Sequence, residues 1–144
     1  MRVDELTGAN SVDHCLPKSS KIELAYEWSN YRFACARMNS RKGIVEHVLD
    51  PFEIDDDWFQ LEIHGFQVRP NPKLPAATRA QVQATISQLG LNDSLCRARR
   101  ERDTKNFLDE LVSFELLERE SPFVARELLR LGLATRTRGR PKRR

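Results

Sequence analysis

Polar and apolar positions alternate along residues 11–16, Ser-Val-Asp-His-Cys-Leu, with the period of two that a strand imposes. Pro17 and the polar run 18–21 stop the pattern. It resumes at Tyr31, Phe33 and Cys35, which alternate with Arg32 and Ala34 after a loop containing Trp28, Ser29 and Asn30. Residues 36–42 are good helix formers apart from Asn39 and Ser40, and Gly43 suits a C-terminal stop. The first third of the chain is therefore predicted as strand, loop, strand and short helix.

Pro51 and the acidic run Asp55, Asp56 and Asp57 punctuate the middle section. Residues 58–63 predict a strand that Gly65 turns into a short partner over 66–68. Pro70, Pro72 and Pro75 then break the chain, and Pro75 stands where a helix can begin. From there the period becomes helical. Val82, Ile86 and Leu89 share one face of a helix over 78–89 that ends at Gly90. Asn92 or Asp93 can cap a longer helix with Leu95, Phe107, Leu108, Leu111 and Leu117 as its buried side. Ser121 and Pro122 predict another helix start, and residues 123–131 run on to Gly132. Strands first and helices afterwards make this an α+β chain with a helical C-terminal half.

Composition narrows the function classes. No run approaches the about 18 apolar residues of a spanning helix. Residues 1–10 contain Asp4 and Glu5 and no apolar core, so they do not read as a secretory signal. Cys15, Cys35 and Cys96 form no C-x-x-C pair and cannot all pair internally, which argues against an oxidising compartment and excludes a self-contained four-cysteine zinc site. A cytoplasmic protein, with no membrane partner, is expected. The 144 residues carry 24 basic and 21 acidic groups, net +3. That total conceals a tail. Arg136, Arg138, Arg140, Lys142, Arg143 and Arg144 place six cations and no acid in the last nine residues, leaving 18 basic against 21 acidic groups, net −3, elsewhere. A polyanion is the partner such a tail suits.

Four polar residues lie at the ends of the predicted N-terminal elements: Asp13, His14, Asn30 and Asn39. Adjacent residues on a strand point to opposite faces, so Asp13 and His14 cannot both be core filler. An asparagine amide can hold an imidazole in one tautomer. Asp13 and Asn39 offer oxygen ligands to a hard divalent cation such as Mg²⁺. A neutral His14 beside that metal could deprotonate a water attacking a phosphodiester while the metal stabilises the leaving oxygen.

The ordered set Val12-Asp13-His14, Trp28-Ser29-Asn30-Tyr31 and Cys35-Ala36-Arg37-Met38-Asn39-Ser40-Arg41-Lys42-Gly43 resembles the HNH endonucleases of the ββα-metal class. The resemblance covers residues 11–43, and residues 48–52 with Trp58 and Phe59 are similar to the segment C-terminal to the motif in some bacterial members. It implies an H-N-N variant in which His14 is the general base, Asp13 and Asn39 hold one Mg²⁺ (or Mn²⁺), and Asn30 positions the loop and the His14 ring. The implied activity is metal-dependent endonucleolytic cleavage of nucleic acid, DNA rather than RNA. Many members hold a structural zinc with two C-x-x-C pairs. Here the second pair is reduced to Cys35 and Met38 and no pair precedes Val12, so no structural zinc is expected.

Arg37, Arg41 and Lys42, on or beside the helix bearing Asn39, are candidate phosphate contacts, as are the six tail cations. His47 is an alternative ligand better read as solvated or packed, His64 reads as a turn residue, and the acidic triplet as a solvated loop. Trp28, Tyr31, Trp58 and Phe59 read as core, and Trp28, Tyr31 and Phe33 are expected to hold the N-terminal unit together. The expected organisation is a ββα-metal core with a β extension over 1–70, a helical region over 71–134 packed on it, and a disordered basic tail over 135–144. Two rival functions remain open: a non-catalytic nucleic-acid-binding module, and a nuclease-like subunit of a bacterial or phage defence complex. The chain has no Gly-rich phosphate loop, so ATPase activity in such a complex would come from a partner.

Overall fold

The structure, a computed structural model of the chain, describes residues 10–45 and 48–135. They form a mixed α+β protein with two small antiparallel hairpins and five helices. In order these are β1 (Asn10–His14), β2 (Tyr31–Cys35), α1 (Ala36–Lys42), β3 (Phe59–Glu62), β4 (Gln67–Pro70), α2 (Ala76–Leu89), α3 (Ser94–Leu108), α4 (Phe114–Glu120) and α5 (Pro122–Arg130). Two short 3₁₀ turns, Ile22–Leu24 and Trp28–Asn30, lie in the β1–β2 connection. The chain divides into two compact units, and the division falls between Arg99 and Arg100, within α3.

In the first unit β1 and β2 pair antiparallel, with Val12 opposite Phe33, Asp13 opposite Arg32 and His14 opposite Tyr31. Alternation then assigns Asp13 and Arg32 to one face and Val12, His14, Tyr31 and Phe33 to the other. α1 follows β2 directly and packs against both strands on the Asp13 face. The other face is exposed at Val12 and Phe33, while the β1–β2 connection reaches His14 and Tyr31. Phe33 is 62% exposed and Trp28 87% exposed, so neither holds the core as the sequence suggested. The aromatic character of these positions misleads because α1 covers only one face of the two-stranded sheet.

β3 and β4 pair with Leu61 opposite Val68, both buried. Their turn is tied by Glu62, whose carboxylate accepts the backbone N–H groups of His64 at 2.7 Å and Gly65 at 2.9 Å. The left-handed residue there is Phe66, at φ 54°, rather than Gly65. α2 begins after Pro75 and buries Val82, Thr85 and Ile86. It packs on β4 and α1, so it belongs with the first unit although the sequence groups it with the later helices. Gly90, at φ 60°, ends it, and Leu91 N–H returns to the Ile86 carbonyl in the manner of a Schellman stop.

In the second unit the long helix expected from Asn92 through Leu117 is two helices. α3 ends at Leu108, Glu110 takes φ 58°, and Leu111 N–H closes onto the Asn106 carbonyl. Ser113 then caps α4 by accepting Leu116 N–H at 3.2 Å. Leu108 and Leu111, expected on a buried side, are exposed because the break rotates them off the helical stripe. Phe114, Leu117, Val124, Ala125 and Leu128 form the core of this unit, with Phe107 edge-on to Phe114 at 5.9 Å. α5 starts with Pro122 at its first turn, while Ser121 Oγ is turned to the Asp103 carboxylate instead of capping. No helix of the described residues is long and apolar enough to cross a membrane.

Candidate active site

Asp13, His14 and Asn30 lie around the C-terminal end of β1, and Asn39 is bonded earlier on the strand, at Ser11 and Val12. His14 projects onto the face that bears Val12 and Phe33. Its Nε2 is 3.1 Å from the Ala25 carbonyl, and its ring stands edge-on to Tyr31 at 4.9 Å. A carbonyl only accepts, so Nε2 carries the proton and Nδ1 is the unprotonated nitrogen of the neutral ring. The Tyr31 hydroxyl donates to the same carbonyl at 2.7 Å. Ala25 is itself buried, so two bonds fix the point on which the imidazole is held.

Asn30, 5% exposed, builds the loop that supplies Ala25. Its amide oxygen accepts Leu16 N–H at 2.8 Å, and its amide nitrogen donates to the Leu16 carbonyl at 3.0 Å and the Leu24 carbonyl at 3.2 Å. Its backbone carbonyl also accepts Cys15 N–H at 2.8 Å. Asn30 thus acts on His14 through the loop, because its amide ties down the residue next to Ala25. It is a positioning residue.

Asp13 faces the other way, toward α1. Lys42 Nζ is 3.1 Å from Asp13 Oδ2, 3.3 Å from Oδ1, and donates to the His14 carbonyl at 2.6 Å. Both side chains are nearly removed from water. Asn39, three residues before Lys42 on the same helix face, donates from its amide nitrogen to Ser11 Oγ at 2.6 Å and the Val12 carbonyl at 3.3 Å. Asp13 and Lys42 therefore meet at the β1–α1 seam, where Asn39 is bonded earlier on β1, at Ser11 and Val12, while the His14 ring lies on the opposite face of the same strand.

The other α1 cations are engaged within the fold. Arg37 and Arg41, four apart, both reach Asp93 Oδ2, at 2.8 and 2.6 Å. Arg41 also donates to the Leu89 and Gly90 carbonyls at 3.0 and 3.1 Å, closing the end of α2. Asp93 Oδ1 accepts Cys96 N–H at 2.7 Å and so caps α3. Burial pushes the Asp93 carboxyl up, but the Cys96 N–H and the two guanidinium groups outweigh it and hold the group well below the carboxylate range. Lys42 is the most enclosed of the three cations, and its carboxylate partner is Asp13 where the sequence suggested a phosphate. His47 and the six tail cations lie outside the described residues.

Two features escaped the sequence reading. One is the Ala25 carbonyl, a backbone group that no residue type announces. The other is the Cys15–Asp50–Arg32 cluster beneath β2. Arg32 grips Asp50 through Nε at 2.6 Å and through Nη2, and Cys15 Sγ donates to Asp50 at 3.4 Å. Burial and the Asp50 carboxylate push the Cys15 thiol up, so it is a poor nucleophile. None of the three cysteines is joined in a disulfide. The acidic triplet is used locally: Asp55 accepts the Trp58 indole N–H at 3.1 Å and Asp57 accepts from Asn71 at 3.3 Å.

Among the described residues no three His, Cys, Asp or Glu side chains converge as a metal-binding group. The donor set at the β1–α1 seam has a different composition. Three oxygens, two of the Asp13 carboxylate and the His14 carbonyl, already surround one positive charge, the Lys42 ammonium. Oxygen ligands with one carboxylate are what Mg²⁺ takes when substrate phosphate and water complete its shell. The residues present fit such an ion. No protein-family model matches the chain, and no curated protein matches it.

Proposed function

We propose that the chain is a metal-dependent endonuclease of the HNH type that hydrolyses phosphodiester bonds in nucleic acid, DNA rather than RNA. The observation that carries this reading is the bond from His14 Nε2 to the Ala25 carbonyl. It leaves Nδ1 as the lone pair of a ring held beside the strand end that carries Asp13. A histidine so held serves as a general base: Nδ1 takes a proton from the water that attacks phosphorus. Asp13 and Asn39 would hold one Mg²⁺ or Mn²⁺, which when bound would stabilise charge on the phosphate and the leaving oxygen. Asn30 and Tyr31 keep the base in place, Asn30 through the loop and Tyr31 through the shared carbonyl. The basic tail supplies attraction to the phosphate backbone that does not depend on sequence.

The buried Lys42–Asp13 pair favours one rival, a nucleic-acid-binding module in which Asp13 is purely structural. A nicking assay on supercoiled plasmid, with Mg²⁺ or Mn²⁺ and with EDTA, separates the two. The nuclease reading expects metal-dependent nicking that falls by about 10²–10⁴-fold in His14→Ala. Undiminished cutting by that variant, or binding without cutting under every divalent metal, would sink it.

A further inference from the structure

Lys42 is the last residue of α1, and its ammonium is inserted between a carboxylate and a backbone carbonyl rather than left in water. The three oxygens around it, at 2.6, 3.1 and 3.3 Å, belong to Asp13 and His14, adjacent residues at the end of β1. A surface lysine would gain little from such an arrangement, and a buried pair carries a desolvation cost that its mutual attraction only partly offsets. The place is built for a cation.

We propose that Lys42 is a tethered competitor for the divalent ion: its ammonium holds the cation position at Asp13 until a metal displaces it. The inference rests on the metal-dependent reading above and adds a residue role to it. An ammonium and a dication cannot share the same carboxylate oxygens without strong repulsion in a site shielded from water. Metal binding therefore requires Lys42 to leave, on a flexible four-carbon stem that can carry its charge outward. The metal-free chain keeps Asp13 neutralised and α1 fastened to β1, and the affinity of the site for metal is lowered by the cost of releasing the lysine. A phosphate brought in by the substrate offers the released ammonium a new anion, so metal and substrate should favour one another's binding.

The test is a Mn²⁺ titration followed by the loss of the free-ion EPR signal, on the full chain without nucleic acid. Lys42→Gln should bind Mn²⁺ about tenfold or more tighter than the wild type, because it removes the competing charge and keeps a polar group. Lys42→Arg should bind no tighter than the wild type, and Asp13→Asn in the Lys42→Gln background should abolish the gain. Equal or weaker binding by Lys42→Gln overturns the role of Lys42 while leaving the metal site intact. No saturable binding by any folded variant overturns both the role and the metal reading. If Lys42→Gln fails to fold, the wild type alone decides. Its buried ammonium should give a slowly exchanging ¹⁵Nζ resonance that is lost as Mg²⁺ saturates the site. Persistence of that resonance at saturation refutes the displacement, and failure of Mg²⁺ to perturb Asp13 refutes the metal site itself.

Discussion

Arg32 and Asp50 illustrate how much of the unit depends on single polar contacts. Their paired bonds fasten the segment after α1 to β2, and Arg32 also donates to the Ser29 and Tyr31 carbonyls at 2.6 and 2.9 Å. The Arg32 guanidinium, ahead of opposing burial, holds the Asp50 carboxyl at about 2. Because this lies below the ordinary value of 3.8, the pair's contribution is fully present above about pH 4 and is lost as pH falls through 2. It amounts to roughly 2 kcal/mol. Urea unfolding at pH 7 and pH 2.5 should show Asp50→Asn destabilised at the higher pH and by only about a third as much at the lower. Asn30 makes a sharper case. Replacing it with Ala leaves Leu16 N–H and the Leu16 and Leu24 carbonyls without their partner, at a cost of about 3 kcal/mol. Activity should fall with it, and the ¹⁵N shifts of His14 should move toward a mixture of tautomers as Ala25 loses its fixed place. The sequence singled out Asn30 but not its contacts. Residue type reveals a capacity for hydrogen bonds, whereas partners distant along the chain depend on the folded path of the loop.

The elements were most legible where local chemistry and burial agree. β1, β2 and α1 follow from alternation and a terminal Gly43, and α2 from a stripe of Val82 and Ile86 bounded by Pro75 and Gly90. The α3–α4 break was not legible, because the left-handed position that ends α3 is filled by Glu110 and no Gly or Pro marks it. A non-glycine residue there is strained by about 1 kcal/mol or more. Glu110→Gly should therefore raise the stability of the chain by roughly 0.5–1 kcal/mol, seen as a higher urea midpoint with an unchanged slope. The opposite exchange at the end of α2 should hurt. A Cβ at residue 90 would stand 2.6 Å from Arg41 Nη1 on a backbone at φ 60°. Gly90→Ala should cost about 1–2 kcal/mol, partly by driving Arg41 off the carbonyls it closes. Residues three and four apart share a face, so Asn39 with Lys42, and Arg37 with Arg41, form two separate seams on α1. A basic helix read only as a row of positive charges conceals that division of labour.

At the scale of the whole molecule the net charge of +3 is the sum of a −3 body and a +6 tail, and the two should be separable by experiment. Within the first unit Arg37, Arg41 and Lys42 are each committed to a carboxylate, Asp93 or Asp13, which leaves the tail cations as the larger reserve for phosphate contacts. Each phosphate neutralised on duplex DNA contributes about −0.9 to the slope of log K against log salt. Removing residues 136–144 should therefore flatten that slope by up to about 5 and weaken binding most at low salt, as read by fluorescence anisotropy of a labelled duplex over a salt series. The chemistry should respond differently. His14, Asp13, Asn30 and Asn39 all belong to the first unit, and the bonds described for them run to Ala25, Lys42, Leu16 and Ser11 of that unit. Cleavage at saturating DNA should then proceed in the truncated chain at close to the full-length rate, with the loss confined to the concentration of DNA required. A slope left unchanged by truncation would place the phosphate contacts on the folded body instead. If the α1 arginines then supply them by exchanging Asp93 for the substrate, the Asp93→Asn variant should bind DNA more tightly than the wild type.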